Sequence, residues 1–314
     1  MSASSIRRIA VFTSGGDAPG MNAAIRAVVR TAAYHKIETY GIRNGYEGMI
    51  DHLMEPISIR QVGNIIYRGG TILKTARSMR FMEKEGRRSA YDSLRASAID
   101  ACIAIGGNGT FTGAKVFSEE YDIPFIGVPG TIDNDLFGTD LTIGYDTAVN
   151  TAMRAVDNIR DTADSHNRLF FVEVMGRNSG FIALSTGIAS GAGNVLVPES
   201  ETTYEHLEEL LRMGVKRRKS FGIIVVAEGN KLGSTEEIAQ ELNRRVGYYD
   251  TKVTIIGHLQ RGGSPTAIDR LLASRLRLEP LTFDAVAFGL DDQATCQVMK
   301  TPRPVLATCE ENRE

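Results

Sequence analysis

The sequence predicts an α/β protein of two domains, each a largely parallel sheet flanked by helices. Three observations lead there. Short runs rich in Val, Ile and Phe alternate with stretches whose apolar residues recur at helical spacing. Strand, helix and strand in repetition builds parallel sheets covered by helices on both faces. The length of 314 residues fits about two domains.

"RIAVFT" (8–13), "ACIAI" (101–105), "IPFIGV" (123–128), "LFFVEVM" (169–175), "GIIVVA" (222–227) and "VTIIG" (253–257) read as buried strands. "MNAAIRAVVRTAAYH" (21–35), "AVNTAMRAVDNIRDTA" (148–163) and "YEHLEELLRMGVKRR" (204–218) read as helices. No repeat or linker marks a domain boundary. Hydrophobic residues at 42% supply a core for each domain, and a net charge of −2 gives no bulk attraction for nucleic acid or an anionic membrane. Any anionic ligand must therefore meet locally placed cations. Cys102, Cys296 and Cys309 are sparse, odd in number and widely spaced, which fits a reducing compartment and no metal site. No apolar run approaches a signal peptide or a membrane span, so a cytoplasmic protein is expected.

In parallel sheets ligands sit at the carboxyl ends of strands, so the loops after strands carry the chemistry. "TSGGDAPG" (13–20) follows the first strand, with Gly15 and Gly16 for close backbone approach and Asp17 and Pro19 suited to a helix start. It reads equally as an anion site and as a plain turn. "GGNGT" (106–110) is a second glycine turn, before a helix-like run. "PGTIDND" (129–135) sets Asp133 and Asp135 two apart, on one side of an extended loop. They suit metal holding and proton abstraction, or plain Asx-turn chemistry. "VEVMGRNSG" (172–180) and "GHLQRGGSP" (257–265) add Arg177, His258 and Arg261 as cations facing those acids.

"TSGGDAPGMNAAIRAVVR", "RGGTILKTAR", "PGTIDND", "GTDLTIGYDTA", "MGR" and "GHLQRGGSP" together resemble the bacterial-type ATP-dependent 6-phosphofructokinases, collinearly from about residue 6 to about residue 276. The resemblance implies transfer of the ATP γ-phosphoryl group, with Mg²⁺, to the 1-hydroxyl of fructose 6-phosphate. It implies Asp133 as base, with Thr131 beside it and Arg177 on the transferring group. Asp135, with Asn108, falls at the metal. Gly16, Arg77, Ser78, Gly107, Asn108, Gly109 and Thr110 match the nucleotide site. Thr131, Ile132, Met175, Gly176, Glu228, His258, Leu259, Gln260 and Arg261 match the sugar-phosphate site. Arg168 and Lys252 match cations donated by a neighbouring subunit, which implies a homotetramer with shared sites. The resemblance also divides the chain into an ATP-binding domain (1–141 plus 258–300) and a sugar-phosphate-binding domain (142–257). Pyrophosphate-using relatives carry an acid at Gly109 and a Lys at Gly130, so ATP is the expected donor.

The departures are local. Asn108 stands where the family has a Mg²⁺-associated Asp, and Lys252 replaces an Arg. Gly193, Ser220 and Phe221 replace effector-site residues, while Arg26, Arg30, Arg160 and Lys219 remain as a degraded effector site. Residues 277–314 do not resemble the family's closing segment. Asn108 and the unusual closing segment support a second expectation, a weakened paralogue that binds sugar phosphate or nucleotide as a regulatory subunit, against which the intact Asp133, Thr131 and Arg177 count.

Overall fold

In the computed structural model, which describes residues 6–163, 168–217 and 222–275, the chain opens with β1 (Arg8–Thr13), α1 (Met21–Tyr34), β2 (Glu38–Ile42), α2 (Gly45–Ile50) and β3 (Met54–Pro56). It continues with α3 (Lys84–Ala96), β4 (Ala101–Gly106), α4 (Asn108–Tyr121), β5 (Phe125–Thr131) and β6 (Ile143–Gly144). These strands form one sheet in the order β3-β2-β1-β4-β5-β6. Then come α5 (Tyr145–Ala163), β7 (Arg168–Val174), α6 (Phe181–Ser190), β8 (Asn194–Leu196), α7 (Tyr204–Lys216), β9 (Gly222–Ala227), α8 (Thr235–Val246) and β10 (Asp250–Ile255). Their strands form a second sheet, β10-β7-β9-β8. Last, α9 (Ala267–Arg275) returns to pack on α1.

Every described pairing is parallel except β2 with the short edge strand β3. The fully parallel strands carry apolar residues on both faces because helices cover both. One buried cluster runs from Val11 and Ile103 in the first sheet, through Val156 of α5, to Val172 and Val225 in the second. The expected division at 141/142 falls just before β6, which pairs with β5 of the first sheet. Residues 276–300 of the first domain's expected span lie outside the described residues, as do Lys219, Ser220, Phe221 and the segment 277–314.

α1 begins at Met21, as the helical spacing predicts, while Asp17 and Pro19 lie in the loop before it and Gly20 is the residue that precedes its first turn. Gly20 sits at φ 103°, and a Cβ there would lie 2.6 Å from Ile143 Cγ2, so only glycine fits. In α9, the buried Asp269 accepts from the backbone N–H groups of Gly144 (2.8 Å) and Thr147 (2.9 Å). A side chain remote in sequence thus satisfies the free donors at the start of α5.

Candidate active site

A cleft of about 770 Å³ opens at the carboxyl ends of the first sheet's strands. Gly16, Arg77, Ser78, Gly107, Asn108, Gly109 and Thr110 all line it. So do Gly130, Thr131, Asp133 and Asp135. Arg177 enters from the loop after β7 and Arg261 from the short 3-10 turn Gly257–Arg261.

"GGNGT" is a helix start: Asn108, Gly109 and Thr110 form the first turn of α4. Gly107 precedes them without a side-chain cap, and the first turn holds no acid. Its free N–H groups and the positive end of the helix make an anion site. Thr110 is pinned beneath, its hydroxyl donating to Ser14 O (3.1 Å). A Cβ at Gly109 would meet nothing within 4 Å, so this part of the cleft is open.

One wall of the cleft is aromatic. Tyr46 stacks on Phe81, centroids 3.9 Å apart, and its hydroxyl donates to Thr110 O (2.6 Å). Arg87 holds that wall. It donates to both oxygens of Glu120 (2.6 and 2.7 Å) and to the carbonyls of Phe81 (3.0 Å) and Met82 (2.6 Å). Ser78 is tied back to the Glu47 carboxylate. Sequence reasoning missed this wall, because it is built from α2 and a short 3-10 turn with no periodic signature.

At the other end, Asp133 is buried, and its Oδ1 has no hydrogen-bond partner among the described residues. Its backbone is fixed: Asp133 N donates to Thr131 Oγ1 (3.2 Å), and Ser179 Oγ donates to Asp133 O (3.0 Å). Burial pushes the Asp133 carboxyl above the ordinary carboxylate range. The Arg261 guanidinium opposes this, Asp135 adds to it, and Arg177 and Glu228 pull in opposite directions. Asp133 and Asp135 both face the cleft, but not through an extended loop. Asn134 between them sits at φ 51°.

The cations are set by turns. Gly176 and Arg177 take positive φ (147° and 53°), and Glu228 Oε1 holds them by accepting from both backbone N–H groups (3.2 and 2.7 Å). Met175 N donates to Gln260 Oε1 (2.8 Å), joining the two cation-bearing turns. Arg261 crosses to the first loop and donates to Asp17 O (3.1 Å).

The remaining expected positions lie elsewhere. Ile132 and Gln260 are fully buried, while Leu259 is exposed beside His258. Arg168 and Lys252 flank Asp250, at 3.5 and 2.9 Å. Arg168 opens β7, at the end opposite Arg177, and the length of β7 is about 20 Å at ~3.3 Å per residue; Lys252 is the third residue of β10, in register with Phe170. Arg160 donates to the carbonyls of Ser190 and Gly191 at the end of α6, and Arg26 and Arg30 lie on α1.

Among the described residues, no three His, Cys, Asp or Glu side chains converge as a metal cage. Mg²⁺ needs none: it binds through one or two carboxylates plus substrate phosphates and waters. Asp135 beside an anion-binding helix start fits that pattern. Asn108, placed at the metal by the resemblance, turns its nitrogen to Asp135, 3.1 Å from Oδ2 and 3.4 Å from the carbonyl.

A family model described as Phosphofructokinase matches residues 8–283. The ATP-dependent 6-phosphofructokinase 2 of Bacteroides thetaiotaomicron is 54% identical over 86% of this chain and 83% of its own length. The ATP-dependent 6-phosphofructokinase 1 of Thermus thermophilus is 56% identical over 86% and 84%. A solved structure of phosphofructokinase from Saccharomyces cerevisiae superposes with a TM-score of 0.82 at 38% identity, over 85% of this chain and 40% of that longer one. With its cleft, its loops and these likenesses on one frame, the chain belongs to the phosphofructokinase family.

Proposed function

We infer that the protein is an ATP-dependent 6-phosphofructokinase, transferring the γ-phosphoryl group of ATP to the 1-hydroxyl of fructose 6-phosphate. The products are fructose 1,6-bisphosphate and ADP. The observation that carries this reading is one cleft. It joins all seven nucleotide positions to a buried carboxylate with a free oxygen and two guanidinium groups.

Asp133 takes the proton of the sugar hydroxyl. The oxygen so freed attacks the γ-phosphorus, and the bond to the β-phosphate bridging oxygen breaks as ADP leaves. Arg177 and Arg261 neutralise the phosphoryl charge, and the start of α4 holds the phosphates. Such positioning and fixed charge are what phosphoryl transfer needs. Asp135, beside the start of α4, would hold Mg²⁺ together with the substrate phosphates, and the ion would supply further charge neutralisation. A coupled assay with fructose 6-phosphate, ATP and Mg²⁺ tests the reading: turnover supports it, and nucleotide binding without turnover replaces it with a regulatory role.

The elements around the first sheet form the ATP-binding domain and those around the second the sugar-phosphate domain. The protein works in the cytoplasm, without nucleic acid or membrane; no helix among the described residues is long and apolar enough to cross one.

Arg168 and Lys252 serve a neighbouring copy's sugar site in a homotetramer. Their distance from this chain's cleft supports that role, as does an exposed stripe on α6 of Phe181, Leu184 and Ile188. Chains carrying Asp133→Asn and Arg168→Ala, each nearly inactive alone, are expected to regain activity when co-assembled. Tetramers of mixed chains without recovery would end the shared-site reading.

Allosteric control is weak. Arg160 is already engaged by the α6 carbonyls, and Gly193 offers no side chain. Allosteric coupling is typically about 1–3 kcal/mol. Here ADP or phosphoenolpyruvate is expected to move half-saturation by fructose 6-phosphate less than about twofold, well below that range. A tenfold shift with either effector would show that the remaining cations suffice.

A further inference from the structure

Asn108 sits in the first turn of α4, and its side chain reaches the loop between β5 and β6. Both groups it meets there, the Asp135 carboxylate and the Asp135 carbonyl, can only accept a hydrogen bond. Only the NH₂ end of an amide can face them. A carboxylate at position 108 would set a second anion against the first, at a separation where like charges repel.

The loop so held carries Asp133 and Asp135 and includes Asn134 in the left-handed region. Its far side is tied down separately. Asn134 Nδ2 donates to Asp140 O (3.2 Å), and Thr142 N donates to Asn134 Oδ1 (2.8 Å). On the cleft side, the Asn108 amide bonds Asp135 directly to the helix that receives the phosphates.

We propose that Asn108 is a positioning residue: its amide latches the acid-bearing loop to the start of α4 before any cation arrives. An amide donor thereby does what a divalent cation must do where two carboxylates face each other. The proposal rests on the kinase reading only for its consequence in the reaction. The latch itself is a property of the substrate-free protein.

The test is hydrogen–deuterium exchange of residues 131–142 in the protein without nucleotide or sugar, in a chelator and then with MgCl₂. The variants are Asn108→Ala, which removes the donor, and Asn108→Asp, which adds repulsion. In chelator, the loop is expected to exchange at least about fivefold faster in Asn108→Ala than in the parent, because hydrogen bonds to charged groups are the stronger kind. Asn108→Asp is expected to exchange faster still. MgCl₂ should slow exchange in Asn108→Asp, by bridging its two acids, and leave Asn108→Ala unchanged.

In steady-state assays Asn108→Ala should lower kcat about tenfold while KM for fructose 6-phosphate moves less than twofold. A merely structural lesion would not give that split. Equal loop exchange in Asn108→Ala and the parent in chelator overturns the latch. Normal exchange differences in a protein that turns over no sugar phosphate would instead leave the latch standing and remove the kinase reading.

Discussion

Asp133→Asn is expected to lower kcat by about 10²–10⁴-fold, the usual cost of losing a general base. The substitution keeps the side chain's shape, so KM for fructose 6-phosphate should change little. Stability should not fall with activity. Burial raises the Asp133 pKa, which means that its ionised form is disfavoured in the folded protein. A neutral amide removes that cost. Purified Asp133→Asn with near-parental kcat would refute the assignment of the base.

Gly109→Asp is expected to raise KM for ATP by about 10²-fold with KM for fructose 6-phosphate unchanged. The side chain has room, since nothing lies within 4 Å of the added Cβ. An acid in the first turn of α4 also suits the helix dipole, so the melting temperature should hold or rise. What the variant disturbs is the ligand. A carboxylate about 4 Å from a phosphate costs about 4 kcal/mol at an effective dielectric of 20, and water and counterions reduce this. An ATP KM within threefold of the parent would mean that the phosphates do not pass Gly109.

The parts of this architecture that were legible in sequence are those buried on both faces. "RIAVFT" and "GIIVVA" became β1 and β9 without change of bounds, because two covered faces demand an unbroken apolar run. β2, "ETYGI", was missed because Glu38 and Gly41 interrupt any such run. Its place is fixed instead by five parallel register partners on β1. In the site, residues on loops after strands were readable because loop chemistry is local. The Tyr46–Phe81 stack and the Arg87–Glu120 pair were not, since each joins residues 33 or more positions apart. Asn108 was legible as a departure, but the direction of its amide was not. Only the neighbour it meets decides which end it shows.

Asp269 ties α9 to Gly144 across 125 positions, and Arg261 reaches Asp17 across 244. During synthesis the chain emerges amino end first, at about 5–20 residues per second. The first loop of the cleft is therefore made long before its last cation exists. Until those residues emerge, the start of α5 lacks its cap and the first loop lacks the guanidinium that bonds Asp17. A nascent chain halted before residue 261 should bind fructose 6-phosphate poorly even with both sheets complete. Catalytic competence thus waits on residues far along the chain from the loops that they complete.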